Sequence, residues 1–269
     1  MTDAIKPPCH VTGTALITGG ASGIGKSMAH SFAQNGITGL ALADVSPANL
    51  ANALTELTSA YPHVRVETFS VDVTKEEQVA ALVKSVAESF GRIDISIHGA
   101  GISSAPSPTH ELALADWQRV IDINQTGVML CDKWVVKQML TQELIPGYQG
   151  RGMIVNVSSM YGLMAPGPSM PVAAYTAAKH AVIALTKLDG KTYAKDGIRI
   201  NAFCPGYVDT PLVHEGIVSG ALTTELGKAA IGRPATAEEI ADAVLFLTSR
   251  MGSYMCANVL VVDGGSTSF

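Results

Sequence analysis

Charge is scarce in this chain of 269 residues: 15% are Asp, Glu, Lys or Arg, and 18 basic against 23 acidic residues leave a net charge of −5. No cluster of Lys or Arg supplies the basic footprint that nucleic acid attracts, so no nucleic-acid partner is expected. No apolar run reaches the roughly 18–20 residues needed to cross a bilayer, so no membrane span is expected either. The opening residues, MTDAIKPPCHVTGT, carry charges and a Pro pair where a secretory leader needs an unbroken apolar stretch; a cytoplasmic location follows as the expectation. Cysteine is sparse, with Cys9, Cys131, Cys204 and Cys256 far apart and no CxxC pair, and none of the seven histidines falls in HExxH or HxxxH spacing. Neither a disulfide framework nor a metal site is expected.

What the chain does have is apolar content, 47% of residues, enough for a sizeable core. Short β-branched or apolar runs alternate with longer stretches of helical period. Strands are expected near Thr14 to Thr18, Gly39 to Asp44, Val64 to Val71, Ile93 to His98, Met153 to Val157, Ile198 to Phe203 and Val259 to Val262. Helices are expected from about Pro47 to Ala60, Lys75 to Phe90, Asp116 to Leu140, Pro171 to Lys195 and Ala237 to Ser249, with a further one after the first glycine turn. Thr74 before Lys75-Glu76-Glu77 and Thr236 before Ala237-Glu238-Glu239 read as capping boxes. Repeated βα units with no composition break predict one α/β domain, a doubly wound Rossmann-like fold with a seven-stranded, mainly parallel sheet and helices on both faces. A tail over about residues 1–12 and a lid over about residues 211–232 flank it.

In such sheets ligands bind beyond the carboxyl ends of the strands. After the first strand, Thr18-Gly19-Gly20-Ala21-Ser22-Gly23-Ile24-Gly25 leads into a helix, a turn whose backbone N–H groups can face a pyrophosphate. Asp44 ends the second strand, 19 residues beyond Gly25, where a carboxylate can accept from an adenosine ribose; it can equally serve the next helix as an N-terminal charge. A 2′-phosphate would face that carboxylate, and two unit charges at 4 Å repel by roughly 4 kcal/mol at an effective dielectric of about 20. Neither Ser22 nor Val45 is a compensating cation, so the spacing favours NAD. Asp72, before Val73, can accept from an adenine amino group or cap a helix. His98-Gly99-Ala100-Gly101 gives a second small-residue turn.

Tyr175 and Lys179 are four residues apart on an Ala-rich helix and share one face. That pair can be a surface contact or an acid/base device. A phenol ionises near pH 10, and bringing it to neutrality takes about 4 kcal/mol, the order that one ammonium about 4 Å away supplies. Upstream, Ile154-Val155-Asn156-Val157-Ser158-Ser159 is a strand ending in hydroxyls, of which Ser159 is the better placed to donate to a substrate oxygen. Asn124 sits in a helical segment that Asn disfavours, which implies a kink or a dedicated side chain.

TGGASGIG, Asp44, Asp72-Val73, HGAG, Asn124, Ser159, YTAAK, Pro205-Gly206 and the closing VDGG, in this order over essentially the whole chain, resemble a short-chain dehydrogenase/reductase. The resemblance implies Tyr175 as proton donor or acceptor, Lys179 as the cation that lowers its pKa and binds the nicotinamide ribose, and Ser159 as the group polarising a substrate carbonyl. It implies that Asn124 holds a water in a proton relay, that Gly19, Ser22, Gly23, Ile24 and Gly25 cradle the pyrophosphate, and that Asp44, Asp72 and Val73 fix the adenosine. Ala100, Gly101, Pro205, Gly206, Val208 and Thr210 complete the cofactor side, the last two against the nicotinamide carboxamide. Three departures stand out. Ser159 and Tyr175 are 16 residues apart where the family usually has thirteen, which places a longer loop in Met164 to Pro171. His98-Gly99 replaces the usual Asn-Asn, and Ala257 stands where a Gly is usual.

The expected activity is interconversion of a secondary alcohol and a ketone with NAD(H). The alternatives are an NAD-binding sensor or scaffold without turnover, and an isomerase or dehydratase on the same site. Leu212, Val213, Ile217, Val218, Leu222 and Leu226 in the lid suggest a hydrophobic substrate or simply pack the lid down. Ala177, Ala178, Ala181 and Ala184 offer a small helix face to another subunit, and the resemblance implies a homodimer or homotetramer.

Overall fold

The computed structural model describes residues 8–145, 150–220 and 222–268. The expected tail therefore lies partly outside the described residues, as does residue 221 of the expected lid. Seven strands form one sheet: β1 (Thr14–Thr18), β2 (Gly39–Asp44), β3 (Arg65–Ser70), β4 (Ile95–His98), β5 (Gly152–Val157), β6 (Ile198–Pro205) and β7 (Val259–Val262). Their order is β3-β2-β1-β4-β5-β6-β7 and every pairing is parallel. The central strands are apolar on both faces because helices cover both: every residue of β1, β4 and β5 is buried.

One face is covered by α1 (Gly23–Gln34), α2 (Pro47–Ala60) and α9 (Ala237–Thr248), where Met28, Phe32, Leu57 and Val244 meet Ile17 and Leu42. The other carries α3 (Glu76–Phe90), α5 (Gly127–Leu140) and α6 (Ala173–Tyr193), with Val86, Val135 and Met139 on Leu16, Ile154 and Ile200. Two short helices, α7 (His214–Val218) and α8 (Thr223–Leu226), lie in the segment expected to form a lid. The strand order reverses between β1 and β4, so the loops after those two strands part there and open a cleft.

Three expectations are corrected locally. The helix expected from Asp116 to Leu140 is three pieces, α4 (Leu114–Ile121), a π turn (Asp122–Thr126) and α5. Thr74 caps nothing, since its N–H and its hydroxyl both donate to Asp72 Oδ1 and α3 starts behind Lys75 without a side-chain cap. The capping box at Thr236 is present in full. Of the four alanines, Ala178 is fully buried and leaves the expected face, whereas Ala177 and Ala184 are exposed and Ala181 partly so on one outward stripe of α6.

Ala257 is the one non-glycine residue with positive φ (+55°) among the described residues. Left-handed backbone costs an L-residue about 1–2 kcal/mol, partly offset by the stiffer unfolded chain of Ala relative to Gly. Ala257→Gly is expected to raise stability by about 0.5–1 kcal/mol in urea unfolding; an unchanged midpoint would show that the strain is relieved elsewhere.

Candidate active site

The cleft at the switch point has a volume of about 910 Å³. Its walls need glycine. Gly19 has φ +69°, and a Cβ there would lie 2.9 Å from the Gly99 carbonyl oxygen, while a Cβ at Gly25 would collide with the Gly19 carbonyl oxygen. The strand-to-helix turn and the loop after β4 thus approach as closely as backbones can, which leaves a backbone-lined cradle at the N-terminus of α1.

Gly19, Ser22, Gly23, Ile24, Gly25, Asp44, Asp72, Val73, Ala100, Gly101 and Thr210 all line this cleft. Pro205, Gly206 and Val208 do not. Val208 is 4% exposed and packs into the core beside α9, and Gly206 backs onto Asp263. Pro205 pairs with Val262 of β7, and Gly206 N donates to Val262 O at 3.0 Å.

Asp44 does both things open to it. Its Oδ2 accepts from Ala21 N in the cradle at 3.4 Å, and its Oδ1 accepts from Ser46 N at 3.0 Å, just before α2. Asp72 is engaged locally by Thr74, and its own N–H donates to Gln78 Oε1 at 2.9 Å. Arg119 is the one basic residue lining the cleft, against Asp44, Asp72 and Asp122. Lys26, on the first turns of α1, is held 2.9 Å from Glu56.

Asn124 lies in the π turn and is fully buried. Its amide accepts from Ile102 N and donates to Ile102 O, both at 2.8 Å. The side chain is therefore a strut between the π turn and the loop after β4. A Cβ on Gly101 would lie 3.2 Å from Asn124 Oδ1 and 3.8 Å from Lys179 Nζ, so the cleft ends at these two residues.

Ser159, just past β5, is close enough to Tyr175 of α6 to hold the phenol's pKa down against the effect of burial. Ser158 Oγ donates to the Lys179 carbonyl at 2.8 Å, and Ser159 Oγ accepts from Tyr161 N at 3.2 Å. Lys179 is 5% exposed; its Nζ donates to Val157 O at 2.8 Å and lies 5.6 Å from the centre of the Tyr175 ring. The expected lowering of the Tyr175 pKa is not found in the protein alone. Burial pushes the phenol up, partly countered by Ser159, and burial pulls the Lys179 ammonium down to about 8. Desolvation penalises both charges, and the main-chain carbonyl takes the lysine's hydrogen bond.

His98, in place of the family's usual Asn, joins a buried polar network. Its Nδ1 lies 2.9 Å from Asn156 Oδ1 and 3.1 Å from Asp132 Oδ1, and its Nε2 lies 2.9 Å from Ser96 Oγ. Asn156 Nδ2 donates to Asp132 Oδ2 at 2.9 Å and to Thr186 Oγ1 at 3.1 Å, which ties β4 and β5 to α5 and α6. Asp132→Ala removes the carboxylate that accepts from Asn156 Nδ2 and lies beside His98, and is expected to cost about 3 kcal/mol in urea unfolding. An effect below about 0.5 kcal/mol would show that Ser96 and Thr186 carry the network without it.

The longer loop after Ser159 seats on the lid. Ser169 Oγ donates to Glu225 Oε1 at 3.2 Å, Lys228 Nζ lies 2.7 and 2.8 Å from the two carboxylate oxygens, and a Cβ on Gly167 would lie 3.1 Å from that Nζ. Of the lid's apolar residues Leu222 is buried, while Leu212 and Val218 are exposed. Sequence reasoning missed Glu225 altogether; its single signal was an acidic residue among apolar ones in a segment read for hydrophobicity.

A family model described as enoyl-(acyl carrier protein) reductase matches residues 19–267. Cis-4-hydroxycyclohexanecarboxylate dehydrogenase of Sinomonas cyclohexanicum is 40% identical over 256 residues, 94% of this chain and 96% of that protein. Levodione reductase of Leifsonia aquatica is 36% identical, spanning 100% of this chain and 99% of that protein. A crystal structure of levodione reductase matches with a TM-score of 0.88 at 36% identity, covering 96% of this chain and 98% of that one. A putative NAD(P)-dependent gluconate 5-dehydrogenase from Beutenbergia cavernae, crystallised with NADP, matches with a TM-score of 0.86 at 28% identity, covering 98% and 100%. The chain belongs to the short-chain dehydrogenase/reductase family, whose members are oxidoreductases that bind a nicotinamide cofactor. The glycine-walled cradle fits the cofactor's pyrophosphate, and the acidic strand end fits its adenosine. No helix among the described residues is long and apolar enough to cross a membrane.

Proposed function

We propose that the protein is an NAD(H)-dependent dehydrogenase that interconverts a secondary alcohol and a ketone, with Tyr175 as general acid/base. The observation that carries this reading is the closeness of Ser159, Tyr175 and Lys179 to one another behind Gly101, which lines a cleft that also holds Asp44. The nicotinamide, when bound, supplies the hydride chemistry. Ser159 donates to the substrate oxygen while Tyr175 takes the alcohol's proton or returns it to the ketone. Lys179 anchors the ribose and stays mostly protonated below about pH 8. The positive charge of an oxidised nicotinamide beside Tyr175 provides the lowering that Lys179 alone does not.

Asp44 accepts from the ribose hydroxyls, Asp72 and Val73 border the adenine, and Asn124 acts as a positioning residue through Ile102. The whole chain is proposed to act as one cofactor-binding catalytic domain with a lid over residues 211–232, in the cytoplasm, as a homodimer or homotetramer. Small, largely hydrophobic alcohols and ketones are the proposed substrates; one relative is named for an alicyclic hydroxy acid, 4-hydroxycyclohexanecarboxylate.

The test is a panel of secondary alcohols assayed with NAD for formation of NADH. Turnover of an alicyclic alcohol supports the reading. Tight NADH binding with no turnover across alcohols and ketones would instead favour a sensor or scaffold.

A further inference from the structure

Residues 163–172 form a strap that starts four residues past Ser159 and ends three residues before Tyr175. At its far end it joins the loop after β4: Ser107 N donates to Pro171 O at 2.9 Å, and Ser107 and Val172 form a parallel bridge. Before that it reaches α8, where Ser169 Oγ donates to Glu225 Oε1 at 3.2 Å. Met164 and Met170 of the strap pack on the same cluster of Met160, Tyr161 and Val172 that Tyr175 packs on. The strap's internal backbone bonds are short-range, as from Met170 N to Gly167 O and from Val172 N to Met170 O, both 2.9 Å. A segment of this kind takes its place from what it is fastened to.

The fastening on α8 is a buried charge. A carboxylate on a four-residue helix would ordinarily stay in water, yet Glu225 is 6% exposed. The cost of that burial is offset by Lys228, whose Nζ lies 2.7 and 2.8 Å from the two carboxylate oxygens, and by the Ser169 hydroxyl. An ammonium only donates and a carboxylate only accepts, so the one proton of Ser169 goes to Glu225. Gly167 leaves room for the ion pair against the strap, since a Cβ there would lie 3.1 Å from Lys228 Nζ.

We propose that Glu225 is a positioning residue that latches the strap to α8 through Ser169, and that the latched strap is the substrate-side wall beside Tyr175. It acts through the strap, so it sets substrate affinity and leaves proton and hydride transfer untouched. This inference rests on the dehydrogenase reading above and adds to it a residue outside the chemistry.

Two readouts on the whole protein test it: hydrogen exchange of the strap without ligand, and steady-state kinetics with NAD and cyclohexanol, or the best other alcohol of the panel. Ser169→Ala is expected to speed exchange over residues 163–172 about fivefold, what one partly exposed hydrogen bond is worth. It is also expected to raise KM about fivefold with kcat and NADH affinity within about twofold, the signature of lost substrate binding alone. Ser169→Thr keeps the hydroxyl and is expected to match the unaltered protein in both readouts. Added to Glu225→Ala, Ser169→Ala is expected to change neither readout further, because its acceptor is already gone. Unchanged exchange in Ser169→Ala overturns the latch, and so does a Ser169→Thr variant as impaired as Ser169→Ala. Faster exchange at constant KM overturns the wall, and a loss of kcat or NADH affinity that accompanies the rise in KM overturns the positioning role. Any of these results with turnover intact defeats this inference alone, whereas turnover of no alcohol or ketone defeats the dehydrogenase reading and the wall with it.

Discussion

Tyr175→Phe is expected to lower kcat for alcohol oxidation by about 10³-fold, within the range a positioned acid/base contributes, while NADH affinity stays within about threefold. The phenol ring remains to fill its place among Met160 and Val172, and only the proton-carrying oxygen is lost. The measurement is a steady-state rate with the best alcohol of the panel, paired with an NADH titration. Retention of kcat would remove Tyr175 from the chemistry. The sign of the pH dependence follows from the same group: oxidation needs the phenolate, so its rate climbs with pH, and ketone reduction needs the phenol, so its rate falls. Because burial raises Tyr175 in the protein alone, these limbs are expected to lie at lower pH in the loaded enzyme than the titration of Tyr175 in the free protein.

NADH is expected to bind about a hundredfold more tightly than NADPH, a difference of about 2.7 kcal/mol. Asp44 has its carboxylate aimed between the cradle and α2, so a 2′-phosphate would enter beside a fixed negative charge. Lys26 is committed to Glu56, and Val45 is exposed and uncharged. Asp44→Ala with Val45→Arg is expected to reverse the preference, because it removes the repulsion and supplies a cation that can meet the phosphate. Parallel titrations of the two cofactors decide it; tighter NADPH binding by the unaltered protein would defeat Asp44 as selector and leave the fold untouched. A structural neighbour of this chain was crystallised with NADP, so the fold by itself does not exclude the phosphorylated cofactor.

The elements legible in the sequence are those whose causes are local. The glycine turn after β1 is required by backbone approach, the capping box at Thr236 is made within four residues, and strands buried on both faces read as unbroken apolar runs. Seven strands and the places where ligands meet their ends follow from these. Asn124 was legible as a misfit in a helix, and the π turn is its explanation, but that the amide braces Ile102 depends on a loop 22 residues away. Thr74 failed as a cap because Asp72 competes for its hydroxyl over two residues, a contest that pattern matching does not weigh.

The sequence by itself determined the order of the βα units, the cradle, and the identity of the Ser, Tyr and Lys that share one end of the sheet, because spacing along strands and helices fixes which residues emerge there. Only the tertiary structure decided how those groups are charged and what surrounds them. Burial raises Tyr175 and lowers Lys179 together, and the Val157 carbonyl accepts a hydrogen bond from the lysine. The reason is physical: desolvation and hydrogen-bond direction depend on everything within a few ångströms, and most of those neighbours arrive from distant parts of the chain.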